Sequence, residues 1–153
     1  MEFSERLRGW CVSQLLAVLL LGLAGTSANA ATGIEVSGAW SRALPTVVKI
    51  GAAYLRINNS TSAAVTLVGA EASIAARAEL HEHVHVNGMM KMRQLHQVEI
   101  PAGDTVPFAP HGLHIMLFDL SESLDAGTDY ELTLVFASGE RVRLIVPVRR
   151  EAP

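Results

Sequence analysis

The chain has 153 residues and a formal net charge of −3, with both signs of charge spread along its length. This weak charge excludes the basic surface of a nucleic-acid-binding domain, and the few scattered aromatic residues argue against base stacking. The one cysteine, Cys11, lies close to the start of the chain. Blue-copper, iron–sulfur and thiol chemistry are therefore excluded from the remainder, because each requires cysteine.

Residues 1–30 have the pattern of a secretory signal peptide. An arginine-bearing start precedes the apolar run Trp10–Ala24, and Ala28-Asn29-Ala30 resembles a cleavage site. The apolar run is shorter than the roughly 20 residues that cross a bilayer. We therefore expect export, cleavage after Ala30 and no stable membrane insertion afterwards. A retained membrane anchor is the alternative.

The remaining segment, residues 31–153, is predicted to form one all-β domain. Apolar and polar residues alternate in Tyr130–Phe136 and in Val142–Val146, which is typical of strands with one buried face. Further strands are predicted at Ala53–Ile57, Val65–Val68, Glu79–Val86, Met90–Val98 and Gly112–Leu120. Turn-forming residues separate these segments, so we predict an antiparallel β-sandwich. The alanine-rich stretch Gly69–Ala78 is the least strand-like, and a helical turn is expected there.

Histidine and methionine are concentrated in one part of the chain. All six histidines and every methionine except the first fall between His81 and Met116. His114 and Met116 are two residues apart and project from one face of a strand. Asn87-Gly88 predicts a hairpin that puts His81 and Met92 on neighbouring strands. A third strand carrying His114 and Met116 completes a set of four donors if it lies beside them.

Two imidazoles and two thioethers form a donor set that favours copper(I), because thioether sulfur is a soft ligand. Each residue also has an ordinary structural interpretation. Methionines often fill gaps in a core, and single histidines usually lie on the surface or are hydrogen-bonded in the core. From the residues alone, a transition-metal site and these structural roles both stay open.

The complete spacing, H-x10-M-x21-H-x-M over His81, Met92, His114 and Met116, resembles the motif of the periplasmic copper chaperones called the PCuAC family. Flanking segments are similar too, and the likeness covers nearly all of residues 34–148. The matching segments include Ala39-Trp40-Ser41-Arg42-Ala43, Gly51-Ala52-Ala53-Tyr54-Leu55, Glu79-Leu80-His81-Glu82, Met90-Lys91-Met92-Arg93, Ile100-Pro101-Ala102-Gly103 and His114-Ile115-Met116-Leu117.

The resemblance implies a cupredoxin-like or immunoglobulin-like sandwich that binds one copper(I) through those four residues. It also implies a periplasmic metallochaperone, without a catalytic step, that delivers copper to the copper subunit of cytochrome c oxidase or to another copper chaperone. Two differences from the family are visible: His83 and His85 follow His81 where methionine or apolar residues are more usual, and no histidine-rich tail follows Val148.

Two other functions are compatible with the residues. One is an exported sandwich module that binds a protein and has incidental histidines. The other is a copper or zinc enzyme that uses His81, His83, His85 and His114. In addition, His83 and His85 share a face with His81 if Glu79–Val86 is a strand. They are expected either to be surface residues or to form a second, weaker copper(II) site, with His111 or His96 as a possible further ligand.

Overall fold

The computed structural model describes residues 33–153, which fold into ten β-strands and no helix. The strands are β1 (Ile34–Arg42), β2 (Ile50–Asn59), β3 (Val65–Ala72), β4 (Ala75–Val86), β5 (Met89–Leu95), β6 (Val98–Ile100), β7 (Thr105–Phe108), β8 (Leu113–Leu120), β9 (Asp129–Phe136) and β10 (Arg141–Arg149). The predicted signal peptide lies outside the described residues. Within the described part, no helix is long and apolar enough to cross a membrane.

The strands pair in the order β5-β4-β8-β2-β1-β10-β9-β3-β6, and β7 pairs with β2. A further contact between β3 and β4, at Ala70 and Ala78, brings distant strands of this order together. The sheet therefore closes around one hydrophobic core. This all-β sandwich confirms the predicted fold class.

Alternation of apolar residues explains why these segments pack as strands. Tyr130, Leu132, Leu134 and Phe136 of β9 are all buried, as are Val146 and Val148 of β10. Successive strand side chains point to opposite faces, so every second residue enters the core. The opposite face of each such strand points away from the core. In β4 and β8 that face carries the histidines.

The hairpin of β4 and β5 turns at Asn87 and Gly88, whose φ angles are 52° and 78°. Val86 and Met89 pair across this turn, so the loop has two residues. Two positive φ angles are the signature of the type I′ turn, whose twist matches that of the flanking strands. The predicted hairpin is confirmed.

Several expectations about the strands were wrong in detail. The segment Gly69–Ala78 is not helical, because β3 and β4 continue through it and join at a short turn. The predicted strand Met90–Val98 is broken at residues 96–97 into β5 and β6. The sandwich is not wholly antiparallel, since β1 pairs with β10 in parallel. Both β1 and β7 were missed, since neither shows a long regular alternation.

Candidate functional site

The candidate site lies on β4 and on the two strands that flank it, β5 and β8. Leu80 of β4 is paired with Ile115 of β8, and both side chains are buried in the core. The adjacent pair, His81 and His114, projects from the opposite face of the sheet. Core packing therefore decides which face carries the imidazoles.

His81 occupies the centre of the four predicted metal-binding residues. It lies directly opposite His114, and the ring centroids are 6.0 Å apart. Met92 is not opposite His81 but opposite the next residue on that face of β4, His83. Met116 is opposite the preceding one, Glu79. Both methionines are thus diagonal neighbours of His81, at a separation that long side chains bridge.

One nitrogen of the His81 imidazole is hydrogen-bonded, and the other has no hydrogen-bond partner. Its Nε2 lies 3.0 Å from Oε2 of Glu79, whose Oε1 accepts a hydrogen bond of 2.7 Å from Nη1 of Arg77. In a neutral imidazole, Nε2–H is then the donor to the carboxylate, and Nδ1 keeps its lone pair. That Nδ1 is buried without a hydrogen-bond partner. A buried, unpaired nitrogen of this kind suits a metal ligand.

His114 is the most buried of the candidates, with 3% of its surface exposed. Its Nδ1 lies 2.9 Å from the carbonyl of Gly112 and donates to it, which leaves Nε2 as the acceptor. Burial lowers the pKa of His114, the bond to Gly112 opposes this shift, and the imidazoles of His83 and His81 lower the pKa further. These effects together favour the neutral form of the ring, which is the form that binds a metal ion.

The two thioethers differ in their access to solvent. Met92 is 55% exposed on β5, the strand at one end of the sheet order. Met116 is half-buried within β8. The site consequently has one accessible side, at Met92, and one enclosed side, at His114.

The remaining histidines differ in their burial and in their distance from His114. The ring centroid of His83 is 4.9 Å from that of His114 and 6.0 Å from that of His111. His83 is half-buried, and its Nδ1 is also buried without a partner. His85 is exposed near the hairpin turn, opposite Met90, and His96 is exposed in the bend after β5. His83 and His85 share a face but have different surroundings.

Glu79 was not among the predicted site residues, although the sequence contains a signal for it. Glu79 and His81 are two residues apart on a strand, so their side chains share a face. By contrast, Glu82 and Arg93 form an ion pair of 2.8 Å on the other face of the hairpin. Across residues 33–153, no three histidine, aspartate or glutamate side chains are arranged to hold a metal ion by themselves.

Among the solved structures that share this fold are two that contain copper. The solution structure of copper(I)-DR1885 from Deinococcus radiodurans is 28% identical, with a TM-score of 0.64, over 79% of this chain and 83% of that one. The copper-bound PCuAC domain from PmoF2 is 23% identical, with a TM-score of 0.65, over 78% of this chain and 94% of that one. The predicted likeness to PCuAC domains is confirmed for the fold.

Sequence comparison identifies the family. "Putative lipoprotein Lxx21020" of Leifsonia xyli subsp. xyli (strain CTCB07) is 37% identical over 145 residues, which are 88% of this chain and 86% of that protein. Residues 34–148 match the family model described as "Putative lipoprotein LpqE-like". The chain therefore belongs to the LpqE-like family.

Proposed function

We propose that this protein is an exported copper carrier that binds one copper(I) through His81, Met92, His114 and Met116. It has no catalytic step: it holds the ion and surrenders it to another protein. The observation that carries the proposal is the unpaired, buried Nδ1 of His81, whose ring is held by Glu79 directly opposite His114.

The hydrogen bonds of both histidines support this ligand set. In each ring one nitrogen is hydrogen-bonded: His81 Nε2 to Glu79 and His114 Nδ1 to Gly112. The other nitrogen keeps a lone pair that can bind a metal ion. Metal-binding histidines characteristically use their second nitrogen in this way, because the outer hydrogen bond fixes the tautomer and the ring orientation.

The two thioethers make copper(I) the favoured metal of the proposed site. Imidazole binds copper, zinc and other ions, whereas thioether sulfur is soft and favours copper(I). The likeness to the copper(I) form of DR1885 supports the same choice. An imidazole-ligated zinc or copper enzyme does not need Met92 and Met116, and a protein-binding module needs neither these nor the unpaired nitrogens.

Exposure of Met92 supports release of the ion by ligand exchange. A partner can replace this outer thioether first, while His114 still holds the ion on the enclosed side. A thiolate-rich acceptor binds copper(I) more strongly than thioethers, so transfer to it is downhill. We propose as acceptor a copper subunit of cytochrome c oxidase or another copper chaperone in the periplasm.

Export through the predicted signal peptide is part of the proposal, and the description of the family as lipoprotein-like supports it. The sequence also predicts weaker copper(II) binding near His83 and His85, and that prediction is refined below. Both side chains lie on the strand that carries His81.

The test is metal titration followed by X-ray absorption on the mature protein. Copper(I) and zinc are titrated separately against a competing chelator, and we expect one copper(I) per chain and clear preference over zinc. The copper(I) spectrum should contain two nitrogen and two sulfur neighbours. A spectrum with nitrogen or oxygen neighbours alone, or an equal affinity for zinc, contradicts the proposal.

A further inference from the structure

The four proposed copper(I) ligands leave one half-buried imidazole in the same place without a role. His83 is half-buried, and its Nδ1 lies buried without a hydrogen-bond partner, like the Nδ1 of His81. Such an atom loses its interactions with water and gains nothing in exchange, so it calls for an explanation. An ion that binds at this position supplies the missing partner.

The position of His83 in the sheet brings it to the ligands already described. On one side it lies directly opposite Met92 of β5. On the other side its backbone N–H donates to the Gly112 carbonyl, 3.2 Å away, and its ring faces His114. His83 therefore lies between Met92 and His114, whereas His85 continues toward the exposed turn.

The two ring separations that involve His114 are compatible with imidazoles on one ion. A metal–imidazole bond of about 2 Å places the ring centre roughly 3 Å from the ion, so two such rings are about 5–6 Å apart. The ring of His114 is 4.9 Å from that of His83 and 6.0 Å from that of His81. Without an ion these three rings are not arranged as a coordination shell. Binding then requires the rings to turn toward a common point.

We infer that His83 is a third imidazole ligand of this site and that it enables the site to hold copper(II) as well as copper(I). Copper(II) is the harder ion and prefers nitrogen and oxygen donors, so His83 joins His81 and His114 around it in place of the thioethers. This inference rests on the proposed function. It places copper(II) in the pocket of His81 and His114, rather than in a separate site with His85.

The experiment compares four forms of the mature protein: the parent, His83→Leu, His83→Asn and His85→Leu. His85 is the matched control, since it is on the same strand and the same face but exposed. Copper(II) affinity is measured by titration against a chelator, and bound nitrogens are counted by pulsed electron paramagnetic resonance. Copper(I) affinity is measured on the same samples, and circular dichroism establishes that each variant is folded.

We expect three imidazole nitrogens in the parent and in His85→Leu, but two in both His83 variants. Loss of one ligand should weaken copper(II) binding by about tenfold or more, with a smaller loss for copper(I). Unchanged copper(II) binding in the folded His83 variants overturns the inference, as does an equal loss in His85→Leu. A parent that binds copper(I) but shows only two nitrogens for copper(II) also overturns it. A parent that binds no copper(I) instead overturns the proposed function.

Discussion

His81 and His114 lie directly opposite each other across β4 and β8, although 32 residues separate them in the chain. Each ring has one nitrogen engaged by an oxygen that is not part of the proposed metal shell. The two free nitrogens belong to different ring positions, Nδ1 in His81 and Nε2 in His114. The hydrogen-bonded oxygens therefore determine which ring nitrogens keep a lone pair for a metal ion.

Glu79 is expected to act as a positioning residue for His81. In Glu79→Ala the acceptor of Nε2–H is lost, so His81 should populate both tautomers and copper(I) affinity should fall by about tenfold or more. Glu79→Gln keeps a carbonyl oxygen and should retain most of the affinity. Nitrogen-15 NMR of the metal-free protein reports the tautomer. Glu82→Ala, which removes an ion pair on the other face, is the control. Equal tautomer populations in the parent and Glu79→Ala would contradict this role.

Met92→Leu and Met116→Leu are expected to weaken copper(I) binding without loss of the fold. Leucine is close to methionine in volume, so each change should cost less than about 1.5 kcal/mol of stability. Competition with a chelator measures the affinity, and thermal unfolding measures the stability. Met89→Leu is the matched control, because Met89 is exposed on the opposite face of β5 from Met92. If all three variants bind copper(I) like the parent, the methionines are not ligands.

Asn59 is expected to be essential for the stability of the sandwich. It is fully buried at the end of β2, where its amide donates to the carbonyls of Ala63 and Ile100 at 2.8 and 3.0 Å. Its Oδ1 accepts hydrogen bonds from the backbone and hydroxyl of Thr61. Replacement by alanine leaves buried polar groups unpaired, so Asn59→Ala should lose about 2–4 kcal/mol in the free energy of unfolding.

Urea denaturation measures this loss, with Asn58→Ala as its control. Asn58 makes a single exposed side-chain bond, to Thr105, and its removal should cost less than about 1 kcal/mol. Similar losses in the two variants would show that the buried bonds of Asn59 are not decisive.

Tyr130 is expected to make the fold sensitive to alkali. Burial raises its pKa from 10.0 to about 12, while the bond to Ser41 opposes the shift. The folded state therefore retains the phenolic proton more tightly than the unfolded state, and stability falls as pH rises from about 10 to 12. The loss attributable to this group is about 2–3 kcal/mol.

Tyr130→Phe removes this ionisation, so the free energy of unfolding should depend less on pH between about 10 and 12. At neutral pH the variant should be about 1 kcal/mol less stable, because the 2.6 Å hydrogen bond to Ser41 is lost. Urea denaturation at several pH values measures both effects. Parallel curves for the parent and Tyr130→Phe above pH 10 would contradict the assignment.

Local patterns were sufficient to predict most of the strands and one hairpin. Alternation in Tyr130–Phe136 depends only on the two-residue period of a strand, and the turn at Asn87-Gly88 depends only on residues that tolerate positive φ. The same period predicted that His114 and Met116 share a face. Where alternation is weak, pairing with distant strands determines the structure. For this reason β1 was not predicted, and the helical turn predicted in Gly69–Ala78 was wrong.

The sequence by itself therefore determined the all-β class, the β4–β5 hairpin and the concentration of imidazoles and thioethers in one segment. Only the tertiary structure decided that β8 lies beside β4, that His114 faces His81 and that His83, rather than His81, is opposite Met92. The physical reason is that register between strands distant in sequence is set by burial of pairs such as Leu80 and Ile115 in the common core. A slip of one residue would put the histidines on the core face, and hydrophobic packing prevents it.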